Sequence, residues 1–325
     1  MQLDWQQAAG FVAFVVMVLA VFLGAIVVVI ERTWQLQVDR RKGDKSTPLS
    51  WFRKSVVAAA AVGLCCIAYG VFVEPFRLTV TKLTISSEKL PVGTRIRLVH
   101  LSDLHSDPEL RCEGDLPALV AAQKPDLICF TGDAINSPEG LNNFKTCMKA
   151  LSAVAPTYAV RGNWDVWYWN KIDLFGDTGV RELRSDIAKQ TIRGTHIWIG
   201  GEGIKDGKPV FDVMKPAPPD AYRIFLFHFP EYIEEMRRCG VDLYLAGHTH
   251  GGQIALPFYG AIITLSPAGK KYEAGHYQSG DSHLYVNRGI GMEGGRAPRI
   301  RFCAPPEVTV IDVVGARTVG QQQGR

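Results

Sequence analysis

The sequence predicts an α/β domain with a substantial antiparallel share, set behind two N-terminal membrane-spanning helices. Three observations lead there. Two uncharged apolar runs precede residue 74, short β-branched runs alternate with amphipathic segments after it, and Asp, Asn and His gather where those short runs end.

The first apolar run, residues 8–30, carries no charge and matches a hydrocarbon thickness of roughly 30 Å at about 1.5 Å per helical residue. Its N-terminal flank holds only Asp4, without the basic residues of a cleavable leader, so it reads as an uncleaved anchor. Residues 31–54 read as a basic loop, with seven Lys or Arg (Arg32, Arg40, Arg41, Lys42, Lys45, Arg53, Lys54) against three acids (Glu31, Asp39, Asp44). Residues 55–73 form a second, Ala-richer span with Trp51, Phe52 and Tyr69 as interfacial anchors; the alternative is a buried helix of the soluble domain. Basic loops stay in the cytoplasm, so a hairpin in the inner membrane places the domain outside it, or in the cytoplasm if the second run does not span. The expected division is anchor 1–74, domain 75–315 and polar tail 316–325.

The chain has 325 residues, 47% hydrophobic, and 36 Lys plus Arg against 32 Asp plus Glu, a charge of +4. The basic loop accounts for that whole excess (7 − 3 = 4), which argues against a basic groove for nucleic acid. No cysteine lies in a CxxC pair, which removes zinc-finger and thioredoxin-like readings. No obligate protein partner is implied.

Beyond residue 74, strands are expected at 95–100, 127–130, 157–160, 223–227 and 243–246, and helices at 115–123, 139–153 and 230–239. HIWIG, HLYVN and EVTVIDVV read as further strands without helices between them. Five strand ends deliver Asp103 and His105, then Asp133, then Asn163, then His228, then His248 and His250. Singly, each has an ordinary explanation as a turn carboxylate or a core histidine. Together they form a set of oxygen and nitrogen donors at the strand ends where ligands collect in α/β sheets, and seven donors suit a two-metal centre.

With LSDLH, TGD, GNWD, the lone His228 and GHTHGG in place, the chain resembles the calcineurin-like metallophosphoesterase superfamily, nearest its bacterial membrane-associated phosphodiesterase branch. The resemblance implies a four-layer α/β/β/α sandwich. It implies two divalent ions, Mn foremost with Fe, Zn or Mg as alternatives. Asp103, His105 and His250 would hold one ion, Asn163, His228 and His248 the other, and Asp133 would bridge them. Asp103, Asp133 and Asn163 would carry the catalysis. The implied reaction is in-line attack of metal-bound hydroxide on a phosphodiester or diphosphate, small or lipid-linked.

The third motif departs from the family's GNHD or GNHE, because Trp164 stands where a histidine contacts the phosphoryl group or protonates the leaving oxygen. A substrate with a phosphate leaving group needs no such proton, and lipid A-pathway UDP-sugar-lipid diphosphatases, with GNRD, resemble that case. Otherwise His196, His276, His283 or a metal-bound water supplies the proton. A non-hydrolytic metal-binding scaffold is the reading from another class. Trp164, Trp167, Tyr168 and Trp169 suggest an aromatic lip, and Arg288 and Arg296 in NRGIGMEGGRAPR are candidate substrate contacts; Arg161 and Arg299 lie close to the motifs. Asp165 has no assigned role.

Overall fold

The computed structural model describes residues 5–204, 211–294 and 298–316. Arg296 and most of the polar tail lie outside them.

Two long helices open the chain, α1 (Trp5–Lys42) and α2 (Trp51–Phe72). Both are long and apolar enough to cross a membrane. The segment expected as a basic loop from residue 31 continues α1 to Lys42 instead. Arg40, Arg41 and Lys42 in the last turn favour this, because cations suit the negative end of a helix dipole. The reversal is confined to residues 43–50, ending at Ser50, whose hydroxyl accepts from the Arg53 amide (3.4 Å). An Arg53–Glu31 ion pair (2.8 Å) joins the helices at this end.

The remainder folds into strands β1 (Thr79–Ser87), β2 (Arg95–Leu101), β3 (Leu127–Phe130), β4 (Thr157–Ala159), β5 (Arg181–Glu182), β6 (Asp186–Ile192), β7 (Thr195–Gly201), β8 (Tyr222–Leu226), β9 (Leu243–Ala246), β10 (Ala255–Leu256), β11 (Gly260–Ala261), β12 (Gly275–Ser279), β13 (Ser282–Val286) and β14 (Glu307–Gly315). Its helices are α3 (Leu116–Ala122), α4 (Leu141–Val154), α5 (Asn163–Trp167) and α6 (Ile233–Arg238). One sheet runs β1-β14-β2-β3-β4-β5 and the other β12-β13-β9-β8-β7-β6. β2, β3 and β4 are mutually parallel, as are β7, β8 and β9, while β14 runs antiparallel to β2.

Side-chain alternation sorts these strands into layers. Ile96, Leu98, Ile224, Leu226, Leu243, Leu245 and Ile311 meet between the sheets. Val99, Leu101, Ile128 and Val310 face outward onto Leu116 and Val120 of α3 and Phe144 and Leu151 of α4. Phe225, Tyr244 and Leu284 face the other way onto Ile233 and Met236 of α6. Three cores between four layers make the expected α/β/β/α sandwich.

Neither helix stops at the domain's edge. The Gln7 side-chain oxygen of α1 accepts from the Thr264 amide (2.9 Å) and hydroxyl (3.2 Å), and the Gly70 carbonyl of α2 accepts from the Arg301 amide (3.1 Å). A Cβ at Gly70 would press into Ile300 and the Arg301 carbonyl, so only glycine allows this approach.

Candidate metal centre

Loops at the carboxyl ends of β2, β3, β4, β8 and β9 converge where the parallel portions of both sheets end. They bring together all seven expected donors, each buried. Asp103, His105, Asp133, His248 and His250 have positive φ, from 42° to 72°. Such backbone costs about 1–3 kcal/mol per residue and persists only where surroundings impose it. Here the loops interlock: the Asp103 amide donates to Gly132 (2.8 Å), His105 to Asp133 (3.0 Å) and Gly247 to His228 (3.0 Å). The motif glycines are required by contact, since a Cβ at Gly162 would collide with the Asp133 carboxylate and one at Gly247 with that of Asp103.

Hydrogen bonds on the far side of each ring fix where the lone pairs point. His228 Nδ1–H donates to the Thr131 carbonyl (2.7 Å), turning Nε2 toward Asp133 Oδ2 (3.2 Å) and Asp103 Oδ1 (3.9 Å). His105 Nδ1–H donates to Asn136 Oδ1 (3.0 Å), turning Nε2 toward Asp133 Oδ2 (3.5 Å). Neither Nε2 has a hydrogen-bond partner. His248 Nε2–H donates to the Leu265 carbonyl (3.2 Å), so its Nδ1 lone pair faces Asn163 Oδ1 at 3.0 Å. A neutral ring has one N–H for these two oxygens; with it on Nε2, two acceptors face each other at 3.0 Å, an arrangement a cation between them would satisfy. His250 Nε2 lies 3.3 Å from Asp103 Oδ1. Two groups thus have donor atoms within 4.8 Å of one another, Asp103 with His105 and His250, and Asp103 with Asp133 and His228. Asp133 Oδ2 lies between His105 and His228, one from each expected site, as a bridging carboxylate would.

Electrostatics agree with a cation site. Burial pushes Asp103 up to about 7. Burial also opposes ionisation of Asp133, but His228 outweighs it and holds this carboxyl below its ordinary range. Burial would lower His228 likewise, yet the Asp133 charge raises it to about 10, so a proton there does the neutralising a cation would take over. Burial lowers His105 to about 4 and His248 to about 3, keeping both neutral, as ligands must be.

Trp164 lies at this centre. Its amide donates to Asp133 Oδ1 (2.8 Å), its ring meets His105 edge-on at 5.3 Å, and its indole N–H donates to Glu293 Oε1 (3.3 Å). Sequence reasoning missed Glu293, which has no motif and sits in a glycine-rich loop. Burial and then the Asp133 charge raise its carboxyl above the ordinary value. The unassigned Asp165 is wholly buried and accepts from the amides of Asp133 (2.9 Å), Ala134 (2.8 Å) and Gly162 (2.9 Å). It ties the loops that carry Asp133 and Asn163 together.

Other candidates lie elsewhere. Arg161 pairs with Glu182 (2.7 Å), Arg299 with Asp107 (2.6 Å), and Arg288 turns to Glu307 (3.3 Å). His196 and His283 begin β7 and β13, at the opposite end of the sheet from His228 and His248, and His276 contacts His283 (2.9 Å). None of the three reaches the centre. Trp167 and Tyr168 are exposed and Trp169 donates to the Ile135 carbonyl (3.2 Å), so of the aromatic group Trp164 is the one set against the ring of an expected donor, His105.

A two-sheet sandwich with Asp and His gathered at its strand ends defines the metallophosphoesterase class. The chain belongs to the calcineurin-like phosphoesterase family, metal-dependent hydrolases of phosphate esters, whose family model matches residues 96–252. It is 34% identical to the metallophosphoesterase YkuE of Bacillus subtilis (strain 168), over 80% of this chain and 95% of that one. It is 33% identical to the phosphodiesterase YaeI of Escherichia coli (strain K12), over 67% and 82%. It is 25% identical to the UDP-2,3-diacylglucosamine pyrophosphatase LpxG of Chlamydia muridarum (strain MoPn / Nigg), over 80% and 97%.

Proposed function

We propose that this chain is a membrane-anchored phosphoesterase that uses two divalent ions, Mn foremost, to hydrolyse a phosphodiester or diphosphate. The observation that carries it is the convergence on Asp133 of the His105 and His228 nitrogens, neither of which makes a hydrogen bond of good geometry, beside the facing Asn163 and His248 atoms. Asp103, His105 and His250 would hold one ion, Asn163, His228 and His248 the other, with Asp133 between. When bound, such ions activate water and neutralise charge at phosphorus. Asp103, Asp133 and Asn163 would act on the reacting phosphoryl group by holding the ions that bind it. The tautomers set by Thr131 and Asn136 hold the rings in ligand orientation, and Trp164 covers the His105 side. Glu293, held by the Trp164 indole, is the acid placed to protonate a leaving alkoxide.

The anchor is residues 1–74 as two spans, with the basic turn in the cytoplasm and the domain 75–315 on the outer face of the inner membrane. Residues 316–325 form a polar tail. The LpxG likeness favours a diphosphate and the YaeI likeness a diester. The purified protein in detergent with Mn, given an aryl phosphodiester and a nucleotide diphosphate in parallel, should hydrolyse at least one. Asp133→Ala and Asn163→Ala should each abolish that activity. Two bound metals without turnover would refute the enzyme and support a scaffold.

A further inference from the structure

α1 is part of the site's wall. A cavity of about 240 Å³ lies between Phe11 and Phe14 of α1 and the domain residues Ile254, Ile262 and Leu265. The same cavity is lined by His248, His250 and Glu293. α1 is clamped there by the Gln7 hydrogen bonds to Thr264. Next to Phe11 and Phe14 the same helix exposes Val12, Val16 and Leu19, and the β10–β11 turn exposes Phe258 completely. The apolar surface is therefore continuous from the span, past Phe11 and Phe14, to the metal-ligand histidines.

We infer that this cavity is an acyl-chain subsite, so that the substrate is a phosphate-bearing membrane amphiphile whose chain lies between α1 and the 254–265 segment while its phosphate meets the metal centre. This rests on the hydrolase reading for the phosphate end only. A chain fits because one wall belongs to a helix whose other faces suit hydrocarbon, whereas a soluble nucleotide would have to place a polar base against Phe11, Phe14 and Ile262. Two phenyl rings and three aliphatic side chains reward a chain with burial instead.

The test uses the full chain in phosphatidylcholine nanodiscs and hexadecyl phosphate bearing a terminal diazirine. Photolabelling should mark residues 253–265, and excess hexadecyl phosphate should remove that mark while hexadecanol and inorganic phosphate should not. Phe11→Ala combined with Phe14→Ala should reduce it about tenfold, the order expected when a chain loses its contact with phenyl rings. Val16→Ala combined with Leu19→Ala, on the exposed side, should preserve it. Label confined to the exposed faces of α1 and α2, or removed equally by hexadecanol, overturns the inference. Labelling needs no turnover. A specifically labelled protein inert toward every phosphoester would leave the subsite standing and sink the hydrolase reading, and an active protein without the label would do the reverse.

Discussion

Asp165 offers the sharpest separation of scaffold from chemistry. Its carboxylate accepts three backbone amides at 2.8–2.9 Å from loops that carry Asp133 and Asn163, with no exposure to water. In Asp165→Ala those three donors lose their partner. A buried unpaired amide costs about 1–3 kcal/mol, so the sum is about 3–9 kcal/mol against a total stability of about 5–15 kcal/mol. Asp165→Asn is the better probe. One amide oxygen can keep the Asp133 and Gly162 donors, and only the Ala134 amide then faces an NH₂ group. The expected loss is about 1.5–3 kcal/mol, or roughly 3–12 °C in Tm for a domain of this size. Thermal unfolding of the detergent-solubilised protein by near-UV circular dichroism measures it, alongside Mn affinity by calorimetry. If Asp165→Asn left Tm and Mn binding unchanged yet abolished hydrolysis, the bracing role would be wrong and Asp165 would act on the substrate.

Three further outcomes are expected. Trp164→His puts a second proton donor beside Glu293, so it should accelerate hydrolysis of alkyl phosphodiesters, whose alkoxides need a proton, by only about tenfold while changing diphosphate hydrolysis little; equal effects on both would remove the leaving-group argument. Glu293→Gln keeps the indole contact but cannot donate to an alkoxide, so alkyl-diester turnover should fall at least tenfold and its alkaline limb should vanish, whereas an unchanged pH profile would exclude Glu293 as the donor. His100 is buried and held down to about 3 by burial, so the fold keeps it neutral while the unfolded chain protonates below about 6.5. Its contribution is complete above that pH and is lost as pH falls from 6.5 toward 3; His100→Gln should flatten this acid limb in urea titrations of chelator-treated protein, and an equally steep limb would count against it.

The strands that carry the site were legible because they are short, apolar and end in motif residues, as at LICF before Asp133 and LYLA before His248. β1 was not, since TVTKLTISS alternates polar residues along a half-exposed sheet edge and is fixed by its parallel pairing with β14. The basic segment from residue 31 reads as a loop because it is charged, whereas it continues α1 to Lys42 because Arg and Lys remain good helix formers. All seven donors could be found at strand ends, though their division into two ligand sets came from the family resemblance. Glu293 and the role of Asp165 could not, because one depends on the loop between β13 and β14 returning to Trp164, 129 residues away in sequence, and the other on which backbone amides point inward.

The paired attachments of the apolar hairpin, Gln7 to Thr264 and Gly70 to Arg301, also bear on how the protein can be cut. A protease that severed the connection at residues 73–78 would break one covalent link and leave both clasps closed. Nicking there would not shed a free hydrolase. Prying the halves apart would uncover the buried Arg301, which gives its guanidinium hydrogens to the carbonyls of Arg288 and Ala304 beside His250, and would remove Phe11 and Phe14 from their wall. The N-terminal helices are thus a limb of the catalytic body, and a released head would be a damaged one.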